Sequence, residues 1–423
     1  MRMATPARWA LALSTLVASS ALTASALTAV APPAQAAPPK DPATELAPMI
    51  GADEPTAVDG RYIVVLEEDT TARASAGAEE TAEEEGGEVE HRLGSALEGF
   101  TAELPDEAVE ALREDPDVAY IEVDQRVRAL GTQSRAPWGL DRVDQRGRRL
   151  DGRYHYRANG RGVTAYVIDT GIRASHREFR GRVAKGVSII RDGRGTADCN
   201  GHGTHVAGTL GGRKYGVAKR VTLRPVRVLR CGGWGRTSQV VAGIDWVTRH
   251  HKNGPAVANL SIGSGPSRAM DNAVQRAFDD GIAFVVAAGN EGGDACDVSP
   301  SSAPAAISVA ATRRNDARSA FSSYGKCVDV FAPGTAITSA WYRSNKDIAT
   351  ISGTSMASPH VAGAAALYLQ RHPDATPQQV TTVLLDRAVT GKVRGRRGSP
   401  DRLLQTDITS VPPPKDVAGD PVG

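Results

Sequence analysis

Large aromatic side chains are scarce in this chain. They make up 5% of its 423 residues, with six phenylalanines and five tryptophans. Nothing after the first 36 residues is apolar enough to cross a bilayer, which excludes an integral membrane protein of the helical kind. The HExxH pattern of a zinc hydrolase is missing, and so is any nucleic-acid recognition motif. Cysteine is limited to Cys199, Cys231, Cys296 and Cys327. The hydrophobic share of 41% still suffices for a globular core and for more than one folding unit.

What is present at the N-terminus reads as an export signal. Arg2 and Arg8 form a basic start, residues 9–30 an apolar run, and Ala-Gln-Ala at 34–36 a small-residue cleavage site. Residues 1–36 are therefore expected to be removed and the remainder secreted, with no membrane attachment afterwards. An even number of cysteines in an exported chain favours two disulfides. Four cysteines allow three pairings, and the sequence does not choose among them.

The net charge of +2 conceals a split. Residues 37–130 carry 7 Lys and Arg against 25 Asp and Glu, or −18, and residues 131–423 carry 41 against 23, or +18. Scattered arginines without a recognition motif argue against nucleic acid as partner. Opposite charges of this size predict that the two parts bind each other.

Residues 37–59 are rich in Pro, Ala and acids and read as a linker. Then come a strand at 61–68, an acidic helix leading into a strand over 79–93, a strand at 98–105, a helix at 106–115 and a strand at 118–124. That order predicts a small α+β domain of the ferredoxin-like kind at about 60–127. From residue 131 to about 408 the pattern changes. Nearly continuous apolar strands at 163–169, 221–229, 256–262, 282–288 and 306–312 alternate with helical stretches at 204–210, 237–251 and 269–281. This predicts an α/β domain in which a mostly parallel sheet lies between helices. The Pro- and Gly-rich end at 409–423 is expected to be a flexible tail.

Chemistry-bearing side chains sit at suggestive places in the second part. Asp169 closes a strand, where such sheets place functional groups, though an Asp there also serves as a turn residue. His202 and His205 lie in Cys-Asn-Gly-His-Gly-Thr-His, within a Gly- and Ala-rich helix. With Cys199 and Cys231 they offer a zinc reading, but the spacing matches no closed site and disulfides are the simpler account. Asn290 follows the strand at 282–288. Ser355 stands in Gly-Thr-Ser-Met-Ala-Ser-Pro-His at the start of a helix that is apolar nearly all round, and Pro359 is tolerated in its first turns. A serine there is either a cap or a nucleophile facing the positive helix end, whose free amides would stabilise an oxyanion.

Taken together these motifs resemble the subtilases. The order Asp169, His202, Ser355, the strand–Asp-Thr-Gly, Gly-His-Gly-Thr-His and Gly-Thr-Ser-Met-Ala contexts, and the segments Pro-Trp-Gly-Leu-Asp-Arg-Val-Asp-Gln-Arg and Val-Ala-Ala-Gly-Asn carry the likeness over 131–408. It is nearest to the proteinase K branch, among aqualysin-like bacterial enzymes. Residues 37–130 resemble the subtilase propeptide, an intramolecular chaperone and inhibitor.

The resemblance implies a secreted, monomeric, self-processing serine endopeptidase of broad specificity acting on proteins and peptides. Ser355 is the expected nucleophile, His202 the base, Asp169 its orienting carboxylate, and Asn290 an oxyanion donor, with His205 structural. Substrate is expected to lie as an added strand against Gly233, Trp234 and Gly235 on one side and Ser261, Ile262 and Gly263 on the other. Gly263, Ala287, Ala288 and Gly289 are expected to wall a roomy, uncharged pocket for an apolar or aromatic side chain. Trp234 stands where relatives carry a small residue. The likeness also implies the disulfides Cys199–Cys231 and Cys296–Cys327. It further implies structural Ca2+ at two places: Asp329 with the carbonyls of Pro304 and Ala306, and a cluster of Asp141, Asp144, Gln145 and Asp151. In that cluster Arg153 replaces a polar ligand.

Overall fold

The computed structural model describes residues 46–53, 57–67, 70–94, 97–125 and 131–414. The expected export signal, the end of the first part at 126–130 and the last part of the tail lie outside the described residues. The described residues fall into two compact units, one within Met1–Arg126 and one within Val127–Gly423.

The first unit has strands β1 (Met49–Ile50), β2 (Ala57–Leu66), β3 (Glu88–Leu93), β4 (Gly99–Glu103) and β5 (Val118–Gln125), with helices α1 (Ala72–Glu84) and α2 (Asp106–Glu114). The sheet order β1-β5-β2-β4-β3 is the ferredoxin-like arrangement with one short parallel strand added at its edge. Helix α1 begins earlier than the acidic run suggests, because Thr71 caps it by accepting from the Ala74 amide at 3.2 Å. Alanines 78 and 82, which the charge pattern obscures, are its buried face.

The second unit contains β6 (Gly131–Ser134), α3 (Trp138–Val143), β7 (Arg153–Tyr156), β8 (Thr164–Asp169), β9 (Val187–Ser188), α4 (His202–Gly211), β10 (Thr222–Arg227), α5 (Thr237–His250) and β11 (Ala256–Leu260). It continues with α6 (Arg268–Asp279), β12 (Ala283–Ala287), β13 (Ala306–Thr312), β14 (Val330–Pro333), β15 (Ile337–Ala340), β16 (Ile348–Ile351), α7 (Thr354–Arg371) and α8 (Pro377–Asp386). Seven strands form one parallel sheet in the order β14-β13-β12-β11-β8-β10-β9.

Alternation along β8 explains the three layers. Ala165 and Val167 point into the core shared with α4, α7 and α8, while Tyr166 and Ile168 point into the core shared with α5 and α6. Both faces are covered, so the strand can be apolar throughout, and each fully buried Val or Ile contributes roughly 1.5–3 kcal/mol. Helix α7 is buried from Thr354 to Leu369 and packs across β11, β12, β13 and β14. Its alanines and Gly363 permit that approach: a Cβ on Gly363 would lie 2.6 Å from Val217. Helix α8 was not read from the apolar pattern, although its capping box, Thr376 with Gln379, was visible in Thr-Pro-Gln-Gln.

The chain leaves β8 toward β10 on one side and later returns to β11 on the other. The carboxyl ends of β8 and β11 thus flank the switch point of the sheet, where such folds place their sites. Disulfides join Cys199 to Cys231 and Cys296 to Cys327. This removes the zinc reading, since neither Cys199 nor Cys231 has a thiolate to offer.

Candidate active site

Asp169 ends β8 and is completely buried. Its carboxylate holds the Nδ1–H of His202 at 2.8 and 2.9 Å and also accepts from the Thr170 amide at 2.6 Å. With both partners of Nδ1 being carboxylate oxygens, Nδ1 carries the proton and Nε2 is the free acceptor. Burial alone would depress the His202 pKa; the Asp169 carboxylate more than offsets it and holds the ring above its ordinary value.

Position at the start of α4 brings His202 to that carboxylate. Gly201 precedes it at φ +114°, and a Cβ there would lie 2.5 Å from Trp341. Asp198 shapes the same turn: one oxygen accepts from the amides of Asn200 and Gly201 and from the Thr170 hydroxyl, the other from the Thr204 amide. Sequence reading missed Asp198; its spacing before Gly201 and Thr204 was the available signal.

His205 is set apart from this chemistry. Its Nε2–H is shared between the carbonyls of Ile337 at 3.0 Å and Ala349 at 3.2 Å, and burial pushes the ring down to about 3. It is a neutral side chain joining α4 to the β15–β16 hairpin.

Ser355 occupies the second position of α7, after Gly353 as N-cap and Thr354. The cap reading of the serine is thereby replaced. Its hydroxyl donates to the Ser261 carbonyl at 3.0 Å, and no hydrogen bond joins it to His202. Beneath it runs a buried polar chain from β11 to α7. Ser358 donates to Asn259 Oδ1 at 2.8 Å, Asn259 Nδ2 donates to Ser261 Oγ at 2.8 Å, and Ser261 Oγ donates to the Ser355 carbonyl at 3.0 Å. Neither Asn259 nor Ser358 was singled out from the sequence, because a lone polar residue in an apolar run has no partner visible along the chain.

Asn290 is oriented by the same helix end. Its Oδ1 accepts from the Thr354 amide at 2.8 Å and the Thr354 hydroxyl at 3.0 Å, which leaves Nδ2 as the free donor. The point where a Cβ on Gly353 would sit is 3.6 Å from Ser355 N and 3.7 Å from Asn290 Nδ2. Two N–H donors, one from the unpaired first turn of α7, therefore converge on a small volume that the absence of a side chain keeps open.

A cleft of about 670 Å³ joins His202, Ser355 and Asn290 to Gly233, Ser261, Ile262, Gly263, Ala287 and Gly289. Three of the expected wall residues fall outside it. Ala288 is completely buried behind the floor, Gly235 packs on the Val228 carbonyl, and Trp234 is 61% exposed with Arg230 against its ring. The cleft is not free of charge either, since Glu291, Asp294 and Asp297 line it. Asp294 accepts from the Cys296 amide and Glu291 from the Asn290 amide. Ser264 exchanges backbone hydrogen bonds with Ser299 at 3.0 and 3.1 Å. Gly263 and Gly265, on either side of that bridge, line the cleft.

Among the expected calcium ligands, Asp329, Asp141 and Asp144 have no ion-pair partner among the described residues, whereas Asp151 faces His155 Nε2 at 3.6 Å. Asp329 accepts from the Ser308 amide at 2.8 Å, and burial pushes it up to about 6. Asp144 accepts from the His155 amide, its second oxygen is buried without a partner, and burial pushes it up to about 6. Asp141 Oδ1 lies 3.1 Å from Gln145 Nε2 and from the Asp151 amide. The Asp151 carboxylate turns instead to the Arg153 amide. Among the described residues no group of three or more His, Cys, Asp or Glu side chains is gathered for a metal. The expected sets rely on main-chain and amide oxygens, and an all-oxygen set with an uncompensated carboxylate fits a hard cation.

Residues 160–406 match the profile of the Subtilase family, and residues 61–130 that of peptidase inhibitor I9. The chain is 52% identical over 388 residues to an extracellular serine proteinase of Thermus sp. strain Rt41A, covering 87% of this chain and 94% of that protein. It is 47% identical over 378 residues to alkaline serine exoprotease A of Vibrio alginolyticus, covering 86% and 70%. The crystal structure of a cold adapted subtilisin-like serine proteinase superposes with a TM-score of 0.63 at 52% identity, over 64% of this chain and 99% of that one.

Proposed function

Because the chain belongs to the subtilase family of serine proteinases, we propose that Ser355, His202, Asp169 and Asn290 carry out peptide-bond hydrolysis in a secreted, self-processing endopeptidase of broad specificity. The observation that carries the reading is the Asp169–His202 pair at 2.8 Å opening into the cleft that also holds Ser355 and the two converging donors.

Substrate lies along Gly263 and Gly265, and its scissile carbonyl carbon meets Ser355 Oγ. The hydroxyl turns from the Ser261 carbonyl to His202 Nε2, which removes its proton as the C–O bond forms. Asp169 stabilises the imidazolium and keeps the ring oriented. The new oxyanion is received by Ser355 N–H and Asn290 Nδ2. His202 then protonates the leaving amine as the C–N bond breaks. A water deprotonated by His202 opens the acyl-enzyme by the reverse sequence, releasing the acid and restoring Ser355.

Gly263, Ala287 and Gly289 support an apolar side chain in the pocket, with the rim carboxylates Glu291 and Asp297 adding tolerance for a basic one. The I9-type segment supports synthesis as a zymogen whose leader acts as chaperone and inhibitor. The mature domain is expected at 131–408 and to act as a monomer. Ca2+, held by Asp329 with the Pro304 and Ala306 carbonyls and by the Asp141–Asp144–Gln145–Asp151 corner, would supply structural charge compensation and no step of the reaction.

Labelling with a sulfonyl fluoride tests the reading: one adduct is expected on the peptide containing Ser355, with parallel loss of proteolysis. Full activity after stoichiometric labelling there, or an adduct on another serine, would overturn it.

A further inference from the structure

A second concavity of the second unit lies apart from the cleft. It is a basin of about 1590 Å³ bounded by β6, the ends of α4 and α7 and the loop around 177–182, and it shares no lining residue with the cleft. Seven arginines and two lysines line it, against a single carboxylate, Glu178. Among the described residues none of these nine cations forms an ion pair. Glu178 is itself occupied, accepting from the Lys214 amide at 2.6 Å. Lys219 lies within the wall, donating to Gln133 and to the Gly216 carbonyl, with its ammonium 5.0 Å from the Tyr154 ring centre. Burial pushes Lys219 down to about 7, with Glu178 opposing the shift and Arg182 adding to it. So dense a set of like charges, with a single carboxylate already engaged by a backbone amide, lowers the energy of any anion that enters.

We propose that this basin binds a flexible chain of phosphates. Its volume exceeds the roughly 300–1,000 Å³ of ordinary small-molecule sites, which favours a length of polymer. Arginine predominates, and its planar fork takes two oxygens of a tetrahedral oxyanion at once. An extended acidic peptide presents a carboxylate to one face only about every 6.6 Å, a lower charge density than a chain of phosphates offers. Sugar rings and bases need flat platforms, and the lining offers one aromatic ring, Tyr156, already faced by the Lys219 ammonium.

The test uses mature enzyme blocked with a sulfonyl fluoride and titrated calorimetrically with linear sodium polyphosphate. Saturable binding is expected, weakening steeply and linearly with log salt. The triple variant Arg177→Ser, Arg213→Ser, Arg220→Ser removes three exposed basin cations and is expected to bind at least about tenfold more weakly. Unblocked, it is expected to hydrolyse a neutral peptide at the parental rate, which also shows that it folds. A control triple variant outside the basin, Arg268→Ser, Arg276→Ser, Arg314→Ser, is expected to bind nearly as the parent. Absence of binding, or equal weakening in both triple variants, would overturn the site. Heparin or poly-glutamate binding as tightly as polyphosphate at equal charge would overturn the ligand class.

Discussion

Ser261 and Ser355 hold each other at two points: the Ser355 hydroxyl donates to the Ser261 carbonyl, and the Ser261 hydroxyl donates to the Ser355 carbonyl, each at 3.0 Å. The end of β11 is thereby locked to the first turn of α7. Ser261→Ala breaks the second bond and strips the acceptor from Asn259 Nδ2, which is completely buried. An unpaired buried donor costs about 1–3 kcal/mol. The melting temperature of the variant is expected to fall by several degrees; an unchanged melting curve would show that the buried chain contributes nothing.

Under the proposed mechanism, Asn290→Ala removes a donor to charge that exists only in the transition state. A fall of about 10²–10³ in kcat with little change in KM is expected. Gly353→Ala fills the point on which the same two donors converge, and its extended φ of 163° makes the effect steric rather than conformational. It too is expected to lower kcat. Raised KM at unchanged kcat in both variants would assign this pocket to ground-state binding.

The pH profile should report His202. A base must be neutral to act, and Asp169 holds the His202 pKa above its ordinary value of about 6.5. Activity is therefore lost as pH falls through that raised value, and the acid limb of kcat/KM is expected above 6.5. Asp169→Asn removes the raising cause and leaves burial, which lowers. The limb then moves to lower pH, with kcat down by about 10⁴. A limb that stays in place in this variant would mean that another group titrates.

Chelation of Ca2+ is expected to lower the melting temperature of the mature enzyme, and Asp329→Ala to remove part of that sensitivity. Active-site chemistry should be unaffected when measured well below the transition. Melting curves identical with and without chelator would reject both calcium assignments.

Ser355→Ala is expected to accumulate as an uncut chain, detected by intact mass, while the parent is cut near 129–131 to leave a remainder beginning close to residue 131. Normal maturation of the variant without added protease would assign the cut to another agent.

The sequence by itself determined which residue types stand where along the chain. Apolar runs such as β8 marked buried parallel strands, because a strand covered on both faces needs no polar side. The small-residue segment after Ser355 marked a buried helix, and the contexts of Asp169, His202 and Ser355 carried the family resemblance from which the chemistry is proposed. These are local facts, legible because period and composition follow from short-range geometry. Long-range partnership was decided only in three dimensions. Nothing along the chain distinguishes Ala287, which lines the cleft, from Ala288, which lies behind it; the alternation of β12 and its packing decide. The basic residues of the basin come from segments up to 85 positions apart, and their shared wall exists because the chain returns around α4. Ser261, Asn259 and Ser358 became one polar chain only when α7 was laid across β11, since a buried hydroxyl is worth having only where a partner meets it.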